Sequence, residues 1–312
     1  MSQSQFAWGI CFLLSLILCP LYPAVINRTK AFFAGRHGPR FLQVYYDIYK
    51  LLRKGSVYSR TATDLLRLAP MAVLGTLLTA ALLLPFGMAE APLAFSGDII
   101  LFFYLLAFAR AMMVLGALDT GSSFEGMGAS REMQFSVFTE GAVFCILAFL
   151  VLLTGRLHLT GVLNGFDVDA WIVSGTSMLF VAAAFFIVML SESCRMPFDD
   201  PETHLELTMI HEAMILDYGG PDLGIILYSS SLKLWMLSSF FVMLVLPVSS
   251  GDILSNILAY FSGMTLTAVG IGVLESILAR FRFLKVPQML IGAFCIALAG
   301  IILMLVFEGG IQ

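Results

Sequence analysis

Residues 98–118 read DIILFFYLLAFARAMMVLGAL, an apolar run broken in its interior only by Arg110. A helix needs about 20 largely apolar residues to cross a bilayer, and this run has that length. Comparable runs occur at about 6–26, 66–88, 136–156, 171–190, 225–247, 252–274 and 288–307. The expected fold class is therefore all-α: a polytopic integral membrane protein with about eight transmembrane helices, forming a single membrane domain over residues 1–312. Composition agrees, with 59% hydrophobic and 12% charged residues and a mean hydropathy of +0.94. Soluble domains carry about 25% charged residues, so a water-soluble or disordered chain is excluded. The runs do not alternate as β-barrel strands do. The first run lacks a basic start and a small-residue cleavage site and is read as a retained helix.

Charge is distributed unevenly. The loops 27–65, 119–135, 191–224 and 275–287, with Arg67 at the edge of the second run, hold 14 of the 17 Lys and Arg residues. The opposite loops hold only Arg156. The positive-inside rule then places the four polar loops in the cytoplasm and both termini outside. These loops also carry much of the Gly, Pro and acid, so chemistry or docking is expected on that side.

In the first loop, Gly35-Arg36-His37-Gly38-Pro39-Arg40 ends in a Gly-Pro chain stop. Beyond it Phe41, Leu42, Tyr45, Ile48, Leu51 and Leu52 recur at helical spacing between charged residues. That is an interfacial amphipathic helix, serving either as a basic lipid anchor or as a pocket wall and docking surface. The second loop, 118–134, contains Gly121, Gly126 and Gly128, which permit close backbone approach or positive φ. It leads to Glu140, one turn inside the fourth run, where a solvated helix end and a functional carboxylate are both open readings.

The third loop holds eight acids, among them Glu192, Glu202, Glu206, Glu212, Asp217 and Asp222, against the single cation Arg195. Asp200-Pro201 is a helix start, placing Glu202 and Glu206 on one face. Such a cluster beside a membrane is repulsive unless protons, cations or a basic partner share it. Within the runs lie Arg110 and Lys233, each roughly 12 Å from the polar-loop end at 1.5 Å rise per residue. Intramembrane cations face a polar interior and pair with acids. Glu275 ends the seventh run. A hydrated route through Glu140, Glu192, Glu202 and Glu206, with Arg110 and Lys233 as fixed cations, is expected. The five cysteines form no C-x-x-C pair, so no metal or cluster site is expected in this chain.

Taken together these motifs resemble the H-type (subunit 1) membrane subunit family of respiratory complex I and its relatives in membrane-bound nickel–iron hydrogenases. Gly35-Arg36-His37-Gly38-Pro39 is similar to the family's G-R-x-G-P. Arg131 followed nine residues later by Glu140 resembles its Arg–Glu pair. The span Glu192-x-x-Arg195-x-Pro197-Phe198-Asp199-x-x-Glu202-x-x-x-Glu206-Leu207 resembles its long E-x-x-(R/K)-x-P-F-D-x-x-E-x-x-x-E-L signature. Leu118-Asp119-Thr120-Gly121-Ser122 with Gly128-Ala129-Ser130-Arg131-Glu132, and Ser231-Leu232-Lys233, are similar to the formate hydrogenlyase branch. Where the family has Glu-Tyr-Ser-Gly, this chain has Asp217-Tyr218-Gly219-Gly220 a few residues later, so either Glu212 or Asp217 replaces that Glu.

The resemblance implies a membrane anchor and coupling subunit of a bacterial or archaeal cytoplasmic-membrane complex. Its partners would be the hydrogenase large and small subunits of a peripheral arm and antiporter-like membrane subunits, with no nucleic acid. The nickel–iron centre and Fe–S clusters would lie in those partners, none in this chain. Ion translocation would involve Glu140, Glu192, Glu202, Glu206, Glu212, Asp217, Arg110, Lys233 and Glu275. Docking would involve Gly35, Arg36, Gly38, Pro39, Arg131, Arg195, Pro197, Phe198 and Asp199. Two alternatives stand beside it: the quinone-site subunit of a complex I-type NADH dehydrogenase, and a stand-alone ion transporter.

Overall fold

The computed structural model describes residues 3–59, 61–165, 168–199, 209–246, 253–278 and 285–307. Among them there is no strand, and the chain is a helical membrane bundle. Its helices are α1 (Gln3–Leu18), α2 (Leu21–Phe33), α3 (Gln43–Leu52), α4 (Asp64–Leu83), α5 (Asp98–Asp119), α6 (Ser123–Thr154), α7 (Leu159–Leu163), α8 (Val168–Glu192), α9 (His211–Met214), α10 (Gly220–Val245), α11 (Ile253–Ile277) and α12 (Val286–Phe307). Among the described residues, seven are long and apolar enough to cross a membrane: α4, α5, α6, α8, α10, α11 and α12. The pair α1–α2 passes the same test jointly but is bent by 53°.

That bend revises the first expected run. Pro20 supplies no N–H to a continuing helix, so the helix stops at Leu18 and restarts at Leu21, continuing to Phe33 within what reads as loop. The break frees carbonyls. The Leu16 carbonyl accepts from the Tyr228 hydroxyl at 2.9 Å, and the Ile17 carbonyl accepts from the Tyr45 hydroxyl of α3. The amphipathic helix is thus α3, tied directly to the bent α1–α2 pair.

A second revision concerns 119–135. Only Gly121 turns the chain, at φ +69°, and α6 already begins at Ser123. At 1.5 Å per residue its 32 residues run about 48 Å, well beyond a roughly 30 Å hydrocarbon layer. The polar N-terminal third therefore projects past the apolar region while staying helical. Gly128 is required there for close approach: a Cβ would lie 2.9 Å from both the Ile210 carbonyl oxygen and the Ala213 Cβ.

α10 is the central helix, packed against α3, α4, α8 and α11. α4 packs along α5, and α12 lies across α6 and α8. Small residues set the crossings, as expected where no hydrophobic effect drives helices together in lipid. At Gly272 of α11 a Cβ would meet Thr29 Cβ at 2.7 Å and the Ile26 oxygen at 3.0 Å. Gly272→Val is therefore expected to push α11 off α2 and destabilise the protein by about 1–3 kcal/mol. A lowered Tm in detergent checks this; an unchanged Tm would show that the two helices readjust freely.

Candidate functional site

Glu192 is the last residue of α8, at the negative end of that helix dipole. A carboxylate there, within a membrane bundle, is doubly disfavoured unless cations meet it. Two do. Lys233 Nζ of α10 lies 2.8 Å from Glu192 Oε2, and Arg110 Nη2 of α5 lies 3.1 Å from Glu192 Oε1. The Glu192 and Arg110 side chains are each only 8% exposed. Arg110 also reaches Glu140 Oε1 of α6 at 3.7 Å, and Glu140 is half exposed.

The turn after α8 aims these groups. Arg195 N–H donates to the Leu190 carbonyl at 2.9 Å and Cys194 N–H to the Ser191 carbonyl at 3.1 Å, the paired bonds of a Schellman cap. Its left-handed position, usually Gly, is Cys194 at φ +50°. That conformation is strained for a side-chain-bearing residue, by about 1–3 kcal/mol. It sends Glu192 toward Arg110 and Lys233, and Arg195 the other way. Arg195 Nη1 then lies 3.7 Å from Glu275 Oε1, whose Oε2 faces Lys30 Nζ at 3.3 Å. Glu275 thus belongs to a second buried ion cluster joining α2, α11 and the turn. Burial, then Glu132 and Asp199, hold the Cys194 thiol far above its ordinary range, so it stays protonated and unreactive.

Seven residues from Arg110, Glu192 and Lys233 along their helices stand Phe103, Phe185 and Phe240. These rings touch, with centroids 5.5 Å apart for Phe103–Phe240 and 4.8 Å for Phe185–Phe240. An apolar aromatic layer therefore lies about two turns, roughly 10 Å, from the ionic cluster on all three helices. On the polar-loop side the cluster opens instead into a narrow cleft lined by Glu132, Ser193, Cys194, His211, Ser229 and Ser230 as well as Arg110, Glu192 and Lys233, with Leu77, Met113, Met214 and Ile226 in its apolar wall. A second cleft, between Ile100, Phe103, Val143 and Leu147 and the exposed Tyr104 and Phe144, reaches Glu140, Arg110 and Glu192 from the outer face of the bundle.

Of the residues expected from sequence, Glu140, Glu192, Arg110 and Lys233 meet. Glu202 and Glu206 lie outside the described residues. Glu212 is half-buried on α9, while Asp217 is exposed and its backbone N–H donates to Glu125 Oε1 at 2.8 Å. In the expected docking set, Gly35, Arg36 and Pro39 are exposed and Gly38 is half-buried. Arg195, Pro197, Phe198 and Asp199 instead turn inward. Asp199 Oδ2 accepts the His211 N–H at 3.0 Å, so this stretch organises the loop rather than presenting a surface. Arg131 likewise pins the loop through the Met209 carbonyl at 2.9 Å. Sequence reasoning passed over Glu125, Glu132 and His211. The signal was available in the spacing 125–132–140, which returns to one helix face. Among the described residues no group of three or more His, Cys, Asp or Glu is arranged to hold a metal ion.

The NADH dehydrogenase family model matches residues 7–306. The chain belongs to that family, which holds the H-type membrane subunits (subunit 1) of complex I. Hydrogenase-4 component C of Escherichia coli (strain K12) is 31% identical over 277 residues, covering 87% of this chain and 86% of the relative. Formate hydrogenlyase subunit 4 of the same organism is 29% identical over 278 residues, covering 87% and 89%. NADH-ubiquinone oxidoreductase chain 1 of Triticum aestivum is 25% identical over 254 residues, covering 77% of each. A chain in the structure of the membrane-bound sulfane sulfur reductase, an archaeal respiratory membrane complex, shares the fold with a TM-score of 0.83 at 16% identity, over 97% of this chain and 99% of that one. The chain is thus a multi-pass membrane protein whose family members include subunits of hydrogenase and respiratory complexes.

Removing one partner from the Glu192 clamp leaves a buried charge under-compensated, which costs about 3–5 kcal/mol. Lys233→Met is expected to destabilise by this amount, and Glu192→Gln/Lys233→Met to recover about 1–3 kcal/mol of it. Unfolding of the single and double variants in detergent measures the coupling; strict additivity would place the two residues out of contact. Burial pushes the His211 imidazole below its ordinary 6.5, against the opposing pull of Glu212 and Asp199. The unfolded chain therefore takes up that proton first, and this contribution to stability is present above pH 6.5 and lost as pH falls below it. His211→Asn is expected to flatten the fall in Tm on acidification; an unaltered slope would assign it to other groups.

Proposed function

We propose that this chain is the membrane anchor and coupling subunit of a multi-subunit, hydrogenase-type energy-converting complex. It lies in the cytoplasmic membrane with its termini outside and its polar loops inside. It docks a peripheral arm of hydrogenase large and small subunits through the exposed Gly35–Pro39 turn and α3, and it adjoins antiporter-like membrane subunits. The nickel–iron centre and Fe–S clusters of that arm supply the electron transfer. This chain supplies the response to it.

The observation that carries the reading is Glu192 held between Arg110 and Lys233, open to the polar loops and backed by aromatic rings. A carboxylate in that position is ionised only while both cations stay close. A charge arriving at the loop end, or a shift of the Schellman turn, alters the balance and drives proton uptake or release at the coupled acids. The aromatic layer bars straight passage across the bundle, so displacement goes sideways. Arg110 shares its guanidinium with Glu140, whose half-exposed carboxylate faces the outer cleft, where a bare bilayer would be a poor neighbour and a membrane subunit a good one. Glu202 and Glu206 enter this route on the strength of the sequence signature. Similarity to hydrogenase-4 component C and formate hydrogenlyase subunit 4 favours the hydrogenase setting.

In the purified, reconstituted complex, Glu192→Gln is expected to keep assembly and electron transfer to an artificial acceptor while lowering ions moved per turnover by about tenfold or more. Lys233→Met and Glu206→Gln should act in the same direction. A wild-type ratio in Glu192→Gln defeats the coupling role. Quinone reduction by NADH without hydrogen evolution would move the chain to a complex I-type setting. Ion flux through the isolated chain in liposomes would make it a transporter in its own right.

A further inference from the structure

α3 offers more apolar surface than the bundle covers. Its inner side is fully engaged. Tyr45 donates to the Ile17 carbonyl, and a Cβ on Gly224 of α10 would lie 3.3 Å from Leu51 Cβ and 3.6 Å from the Ile48 oxygen. α10 starts at Gly220, so Gly224 is about 6 Å along it. α3 therefore lies level with the polar-loop end of α10, at the depth where lipid headgroups meet the bundle.

The outer side of α3 has no partner in the chain. Leu42, Tyr46, Tyr49 and Arg53 recur at i, i+4, i+7 and i+11, which makes one stripe, and all four are exposed. The two tyrosines are 56% and 58% exposed. The Arg53 guanidinium lies 5.0 Å over the Tyr49 ring, and Arg28 lies 5.0 Å over the Phe41 ring just before α3. Beside them, at the end of α2, Phe32 is 80% exposed. Rings and cations paired at headgroup depth suit side chains whose apolar bodies meet acyl chains while their charges reach the phosphates.

Charge fixes the sign of what binds. Residues 28–54 hold seven Lys and Arg residues and one acid, Asp47. Lys30 pairs with Glu275. Arg28, Arg36, Arg40, Lys50, Arg53 and Lys54 are exposed, and among the described residues none has a carboxylate within 4 Å. Asp47 itself accepts from Gln43 Nε2 at 2.9 Å. An acidic protein surface would answer the cations but leave Leu42, Tyr46 and Tyr49 facing polar groups. An anionic phospholipid answers both, with a phosphate and an acyl boundary in one molecule.

We propose that the outer stripe of α3 is a binding surface for anionic phospholipid. The lipid phosphate lies against Lys50, Arg53 and Lys54, at the C-terminal end of α3, where the helix dipole also favours cations. The Tyr46 and Tyr49 rings stand at the glycerol level. The peripheral arm keeps the Gly35–Pro39 turn and the Asp47 side of α3, about 100° round the helix from Tyr46. The inference goes beyond the coupling role and does not depend on it.

The test places the purified full-length chain, and in parallel the purified complex, in nanodiscs of dioleoyl phosphatidylcholine and dioleoyl phosphatidylglycerol in equal amounts. After transfer to mild detergent, native mass spectrometry counts the lipids retained. The wild-type chain is expected to retain phosphatidylglycerol over phosphatidylcholine by about threefold or more. Lys50→Gln/Arg53→Gln/Lys54→Gln is expected to bring the two lipids to parity, whereas Arg156→Gln, in an opposite loop, keeps the wild-type preference. Tyr46→Ser/Tyr49→Ser is expected to lower the retention of both lipids. No preference in the wild type, or an unchanged preference in the triple variant, overturns the proposal. Displacement of phosphatidylglycerol by inorganic phosphate marks a bare anion site and overturns it as well. Loss of the peripheral arm from the triple-variant complex, with lipid preference intact, gives the stripe to that arm instead.

Discussion

A carboxylate at the C-terminal end of a membrane helix cannot stay charged alone, and the bundle is arranged around that constraint. α8 ends on Glu192, and α5 and α10 each bring one cation to it from a different side. Helix dipole, low dielectric and neighbouring Glu140 all oppose the charge; Arg110 and Lys233 offset them. Because three helices converge on one ion cluster, its electrostatics and the helix packing are the same problem. Anything that moves α5, α8 or α10 relative to the others changes the clamp.

The aromatic layer gives the cluster a direction. Phe103, Phe185 and Phe240 stand two turns away on the same three helices that carry the charges, so register ties the seal to the site. On the loop side the cluster adjoins a cleft, and on the other side packed aromatic rings stand behind it. The second cluster, Lys30–Glu275–Arg195, anchors the far arm of the same turn, so the loop after α8 is held at both ends by buried ion pairs.

Much of this was legible in the sequence, for identifiable reasons. Apolar runs show wherever a helix must match a bilayer, and lone charges such as Arg110 and Lys233 stand out because lipid tolerates so few. What was not legible depended on tertiary contact. The start of α6 reads as a loop because Gly126, Gly128 and neighbouring polar residues are poor helix formers in isolation; packing against 209–217 overrides that propensity. The inward turn of Arg195 and Asp199 was hidden because exposure of a charged loop residue is the ordinary case. Glu125 and Glu132 were overlooked although their spacing was visible, since a helix face has meaning only once the segment is known to be helical.

The break at Pro20 has a mechanical consequence. Two main-chain oxygens that a straight helix would have occupied are held by phenols from elsewhere, one of them on the surface-lying α3. Lifting α3 away would strand a bare carbonyl in an oily setting, an outcome the bilayer resists. The elbow and the surface helix are therefore geared together: a tug on the outside of the molecule is delivered as a change of angle between α1 and α2.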